Sequence, residues 1–152
     1  MDEKEDAFRK LVSGKIKPVP GLISLLALAD RASTPMVAVT NAPRLNAEML
    51  LAGLGIMHRF KALIIGDELL NGKPHPMPYL EGLRAVNATA HLSLAFEDSR
   101  SGIQSASAAG ITTIGIRTSL GHEDLVAAGA RMTAKTFDDP ELIKLVATTM
   151  NW

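Results

Sequence analysis

The 152-residue sequence predicts an α/β fold, a mostly parallel sheet covered by helices on both faces. Short apolar runs alternate along the whole chain with stretches whose apolar residues recur at helical spacing. The runs are solidly apolar rather than alternating with polar residues, as strands buried on both faces require.

Residues 3–13 have helical spacing, with Phe8, Leu11 and Val12 on one side. The "KPVPG" at 17–21 breaks that helix, because Pro18 and Pro20 remove donors and fix the backbone. Helical spacing resumes over 21–32. "PMVAVT" (35–40), bounded by a proline and a polar pair, reads as a buried strand. A helix follows over 42–54, with Asn41 as its N-cap, Pro43 in its first turn, and Gly53 and Gly55 at its stop. "KALIIG" (61–66) is the second strand, and the spaced prolines of "PHPMPY" lead into a helix over 77–86. "LSLAFED" (92–98) is the third strand, with a helix over 101–109 after it. "TTIGI" (112–116) is the fourth strand. A helix over 122–128, a short strand at 131–134 and a closing helix over 139–148 complete the chain.

Composition narrows the classes of function. Apolar residues make up 47% of the chain, enough for a real core in one domain. Lysine plus arginine and aspartate plus glutamate balance at 16 each, so the chain carries no field that would draw in nucleic acid. Cysteine is absent, which rules out disulfides and thiolate metal sites and suits a reducing cytoplasm. The acidic opening "MDEKEDAFRK" is unlike a signal peptide, and no apolar run nears the ~20 residues of a membrane span. A cytoplasmic domain is expected, with no membrane partner. Four histidines at 58, 75, 91 and 122 lack zinc-like spacing, and no nucleophile elbow, Walker loop or dinucleotide fingerprint is present.

Ligands of open parallel sheets bind beyond the carboxyl ends of the strands. Three polar groups fall there. Thr40-Asn41 can serve as a strand exit and helix cap, or as a phosphate cradle built from a hydroxyl and the amides of a helix N-terminus. Lys73 can be a surface lysine, yet Gly72 and Pro74 stiffen the "NGKPHP" loop that presents it, and a held ammonium suits a phosphoryl oxygen. Glu97-Asp98 ends a strand on two like charges. Ser99 or Asp98 can cap the next helix, which explains one acid but not both, whereas two carboxylates are oxygen ligands of the kind Mg²⁺ prefers.

In this order "VAVTNAPR", "GKPHPMPY" and "LAFEDSRSGIQSASAAGITTIGI" resemble the second, third and fourth motifs of the haloacid dehalogenase superfamily, most closely its phosphoglycolate phosphatase and β-phosphoglucomutase subgroup. The likeness runs from about Ala7 to about Thr136. It implies a Rossmann-like three-layer sandwich and Mg²⁺-dependent hydrolysis of phosphate monoesters, with a small phosphorylated molecule as partner. It implies that Thr40 and Asn41 bind the phosphoryl group and that Lys73 neutralises its charge and orients the nucleophile. Asp98 would ligate Mg²⁺, with Glu97 beside it, bound directly or one layer out. The "VPG" at 19–21 resembles the point where this family's chain re-enters the core from its cap domain. That makes 1–16 a remnant of a cap helix and 17–152 an incomplete core.

The first motif of the family, Asp-x-Asp-x-Thr on a central strand, has no match. Only Asp2, Asp6 and Asp30 precede Thr40, and none follows an apolar strand. The resemblance therefore implies a chain without the attacking carboxylate, inactive alone and weak for Mg²⁺. It also implies a sheet without its central strand, since that strand lies between those ending at Thr40 and Asp98. One of three states is expected: direct pairing of 36–40 with 93–97, a self-associated or swapped oligomer through exposed edges, or need of a missing N-terminal segment. The functional alternatives are a truncated or complemented phosphatase core, a non-catalytic relative binding a phosphorylated ligand or a protein, and a fragment with no role of its own.

Overall fold

The computed structural model describes residues 16–152; the helix expected over 3–13 and the cap remnant lie outside them. Six helices and five strands follow one another as α1 (Leu22–Arg31), β1 (Val37–Thr40), α2 (Arg44–Gly53), β2 (Ala62–Ile65), α3 (Met77–Ala85), β3 (Leu94–Glu97), α4 (Arg100–Ala108), β4 (Thr112–Ile116), α5 (His122–Ala128), β5 (Met132–Ala134) and α6 (Pro140–Met150). The α/β class and the parallel sheet are as predicted, with boundaries shifted by one or two residues. Among the described residues, no helix is long and apolar enough to cross a membrane.

The strands form two separate parallel sheets. β1 pairs with β2, Val37 opposite Ala62 through Thr40 opposite Ile65. β4 lies between β3 and β5, with Leu94 opposite Thr112 and Ile114 opposite Met132. Among the described residues the direct pairing of 36–40 with 93–97 does not occur: β1 pairs with β2, and β3 with β4. Nor is 35–40 the buried strand that its apolar run predicts, because among the described residues β1 has a strand on one side alone. Every residue of β1 is half-buried, whereas four of the five residues of β4, flanked on both sides, are buried.

Helices hold the two sheets together. Leu25 of α1 joins Ile114, Ile116, Phe137, Leu142 and Val146 in a core over one face of the larger sheet. On the opposite face Tyr79 of α3 clusters with Ala95, Ala106 and Ile111, and Val39 of β1 packs against the same cluster. Helix α3 thus touches both sheets. Asp139 caps α6 by accepting from the amides of Glu141 and Leu142 at 2.8 and 3.4 Å. Ser99 caps α4, its hydroxyl accepting from the Gly102 amide at 3.1 Å, so Asp98 is left free of that task.

Candidate active site

Strands are parallel within each sheet, and the ends of β1 and β3 meet where the Lys73 ammonium bonds to both Val39 and Glu97. Thr40, Asn41, Glu97 and Asp98 therefore stand close to one another. Lys73 comes to the same place from the loop between β2 and α3. Asn41 brings it there: its Oδ1 accepts from the Lys73 amide at 3.0 Å, and its Nδ2 donates to the Lys73 carbonyl at 3.1 Å. Asn41 is therefore not the N-cap of α2 that its position predicts. Pro43 occupies the cap and makes no side-chain bond there. The amide sits so close to Gly66 and Gly72 that a Cβ on Gly66 would collide with Oδ1 and one on Gly72 would lie 2.9 Å from it.

From this loop the Lys73 ammonium reaches inward. It donates to the Val39 carbonyl at 2.8 Å and to Glu97 Oε1 at 2.5 Å. The two side chains are only 8% and 9% exposed, so this ion pair is shielded from water. A second donor meets the same oxygen, the Tyr79 hydroxyl at 2.5 Å. Burial, and then the neighbouring Glu97 charge, push the Tyr79 phenol far above its ordinary range. The lysine also lies 5.4 Å from the centre of the Tyr79 ring. Glu97 lies over Gly102, where a Cβ would collide with its carboxylate.

Thr40 and Asp98 stand beside these groups. The Thr40 hydroxyl accepts from the Ala42 amide at 3.0 Å and keeps its own proton to donate. Asp98 is exposed, and its Oδ2 accepts from Thr118 Oγ1 at 3.1 Å. On the rim, Arg44 grips Glu68 through two bonds of 2.7 and 2.8 Å. Both residues are exposed, and such a pair contributes little to stability.

For Mg²⁺ the donor set fits in part. Among the described residues no three His, Cys, Asp or Glu side chains gather as a metal cage. Asp98 offers exposed carboxylate oxygens, while Oε1 of Glu97 is committed to Lys73 and Tyr79. Mg²⁺ commonly keeps its waters and binds through one or two carboxylates plus a substrate phosphate, and Asp98 suits that role.

Tyr79 has no role in the sequence-based reading, although its place six residues after Lys73, on the first turn of a helix, is the signal that would have found it. Ser105, fully buried, likewise carries no sequence signal; its hydroxyl donates to the His75 carbonyl at 2.6 Å and fastens the loop to α4. The histidines form no site: His75 Nδ1 accepts from the Met77 amide and His122 pairs with Thr133.

This constellation, a buried lysine between the ends of two parallel strands with an acid pair beyond it, agrees with what comparison shows. Residues 2–116 match the sequence profile of the haloacid dehalogenase-like hydrolases. The chain belongs to that family, in its phosphoglycolate phosphatase and β-phosphoglucomutase-like part. It is 33% identical over 120 residues to a phosphoglycolate phosphatase of Colwellia psychrerythraea, covering 78% of this chain and 51% of that one. A phosphorylated carbohydrates phosphatase of Thermotoga maritima is 31% identical over 147 residues, 95% of this chain and 66% of its own. The solved structure of a putative β-phosphoglucomutase from Thermotoga maritima superposes with a TM-score of 0.81 at 27% identity, over 97% of this chain and 71% of that chain. The chain thus spans between half and two thirds of the length of these two curated relatives.

Proposed function

We propose that these residues form the phosphoryl-handling part of a phosphatase site acting on a small phosphorylated molecule. Thr40 and the backbone at Asn41 bind the phosphoryl oxygens, Lys73 neutralises their charge, and Asp98 holds Mg²⁺ with Glu97 behind it. The family membership and the names of the two phosphatase relatives support this reading. The observation that carries it is the placement of Lys73: a shielded ammonium, fixed by Asn41 and Glu97, at the strand ends where a ligand of a parallel sheet binds. Phosphoryl transfer relies on such positioning and charge stabilisation, together with an attacking group. No Asp-x-Asp follows an apolar run in the sequence, so the 152 residues bind phosphate without turning over phosphate monoesters. Residues 17–152 are the core that carries this half-site.

Thermal unfolding with and without inorganic phosphate and Mg²⁺ tests the binding. A ligand at about 100 times its Kd adds about 2.7 kcal/mol of stability. The increment should appear in the natural chain and vanish in Lys73→Ala, and an equal increment in both refutes the role of Lys73. Turnover of p-nitrophenyl phosphate or phosphoglycolate that Asp98→Asn abolishes would refute the inactivity of the chain alone.

A further inference from the structure

Tyr79 stands at 9% exposure among Ala95, Ala106, Ala109 and Ile111. These neighbours are all apolar and a phenylalanine would fill the same place, so the hydroxyl has a separate task. It donates to Glu97 Oε1, the oxygen that also accepts from the Lys73 ammonium. Both donors come from one stretch of chain, the loop after β2 and the first turn of α3. That stretch is fastened twice: Asn41 holds the Lys73 backbone, and Ser105 of α4 holds the His75 carbonyl. Two donors on a fixed segment thus converge on one oxygen at the end of β3.

We propose that Tyr79 is a positioning residue: by clamping Glu97, it fixes the Lys73 ammonium in the place from which it meets a phosphoryl oxygen. The last step rests on the phosphate role of Lys73 proposed above. A glutamate and a lysine that hold only each other can swing together, since both side chains are long and flexible. The phenol sits on a ring locked by packing, and its bond removes that freedom. It also shares the charge on Oε1, so Glu97 competes less with an incoming anion for the ammonium. Among the described residues that ammonium bonds to two oxygens, the Val39 carbonyl and Glu97 Oε1. One of its three N–H groups is thereby left for a ligand. Without the phenol the whole charge of Oε1 falls on Lys73, and a freed carboxylate repels phosphate besides. Both changes weaken anion binding.

The test titrates the 152-residue chain with inorganic phosphate at fixed Mg²⁺, by calorimetry. Tyr79→Phe keeps the ring and its packing and removes only the hydroxyl, so the fold is retained. Outer partners of metal-binding groups contribute about 10–100-fold to affinity, and a loss of about tenfold or more in phosphate affinity is expected here. Ile111→Val, in the same cluster, is the control for lost packing and should leave the affinity unchanged. A second readout follows Lys73 itself, by ¹⁵N NMR of its ammonium, assigned by its loss in Lys73→Ala. A held ammonium exchanges its protons slowly, so the signal should broaden or vanish in Tyr79→Phe and persist in Ile111→Val. Undiminished phosphate affinity in Tyr79→Phe, an equal loss in Ile111→Val, or an unchanged Lys73 signal in Tyr79→Phe each overturns the proposal. A natural chain that binds no phosphate, while its Lys73 signal still depends on Tyr79, refutes the phosphate role of Lys73 and supports the clamp alone.

Discussion

Removing the Lys73 ammonium should destabilise the fold far more than removing it together with its partner. Lys73→Met leaves Glu97 buried at 9% exposure with only the Tyr79 hydroxyl for company. Breaking a shielded pair from one side typically costs about 3–5 kcal/mol, against about 0–1 for an exposed pair. For a domain of this size each kcal/mol lowers Tm by about 2–4 °C, so a fall of about 6–20 °C is expected. Glu97→Leu strands the lysine with the Val39 carbonyl alone and should cost a similar amount. The double variant Lys73→Met/Glu97→Leu replaces two charges with apolar groups. Its remaining debt is the unpaired Tyr79 hydroxyl, about 1–3 kcal/mol. Urea unfolding of all four proteins closes a double-mutant cycle, whose coupling should exceed about 2 kcal/mol. Single variants within about 1 kcal/mol of the natural chain, or a double variant equal to the sum of the singles, would refute a tightly shielded pair.

Gly102→Ala reverses an ordinary rule. Alanine in a helix is normally worth about 1 kcal/mol over glycine. Here its Cβ meets the Glu97 carboxylate, so a net loss of about 1–3 kcal/mol is expected. A gain in the urea midpoint would show that Glu97 does not sit over Gly102. Tyr79 is the chain's single tyrosine, so its ionisation can be followed directly by ultraviolet absorbance. The folded phenol is raised above its usual value of 10, so its contribution to stability is complete below pH 10 and is lost as pH climbs beyond it. Phenolate should appear only as the protein unfolds, and a reversible phenolate signal near pH 10 in folded protein would contradict the buried hydroxyl.

The alternation of apolar runs with helical segments was legible throughout, because it depends on local pattern. β4 lies within its predicted limits, 112–116, and α5 within 122–128. Asn41 shows where local reading stops. As an isolated residue before a helix it is a good cap, yet its amide binds a backbone 32 residues away. The pocket between Gly66 and Gly72 that receives it comes from two further segments, which no local pattern links to Asn41. Glu97 and Lys73 were both legible as charged groups at the strand ends. Their mutual bond was not, and neither was the Tyr79 hydroxyl, whose ring reads simply as core filling in an amphipathic helix. Bare edges and direct pairing of β1 with β3 were both open from the sequence, and nothing local chose between them. Whether two strands close up depends on the helices that span them, and α3 wedges its Tyr79 and Leu83 against Val39 and Ala95.

The reach of the Lys73 ammonium gives the molecule a mechanical property. One of its bonds ends on the first sheet, at Val39, and the other on the second, at Glu97. It is a tie bar between the two sheets. Two rigid oxygens held by one nitrogen fix a spacing, and any change in that spacing strains or frees the bond to one of them. The charge placed to meet a phosphate is thus also a gauge of how far apart the two halves of the sheet stand.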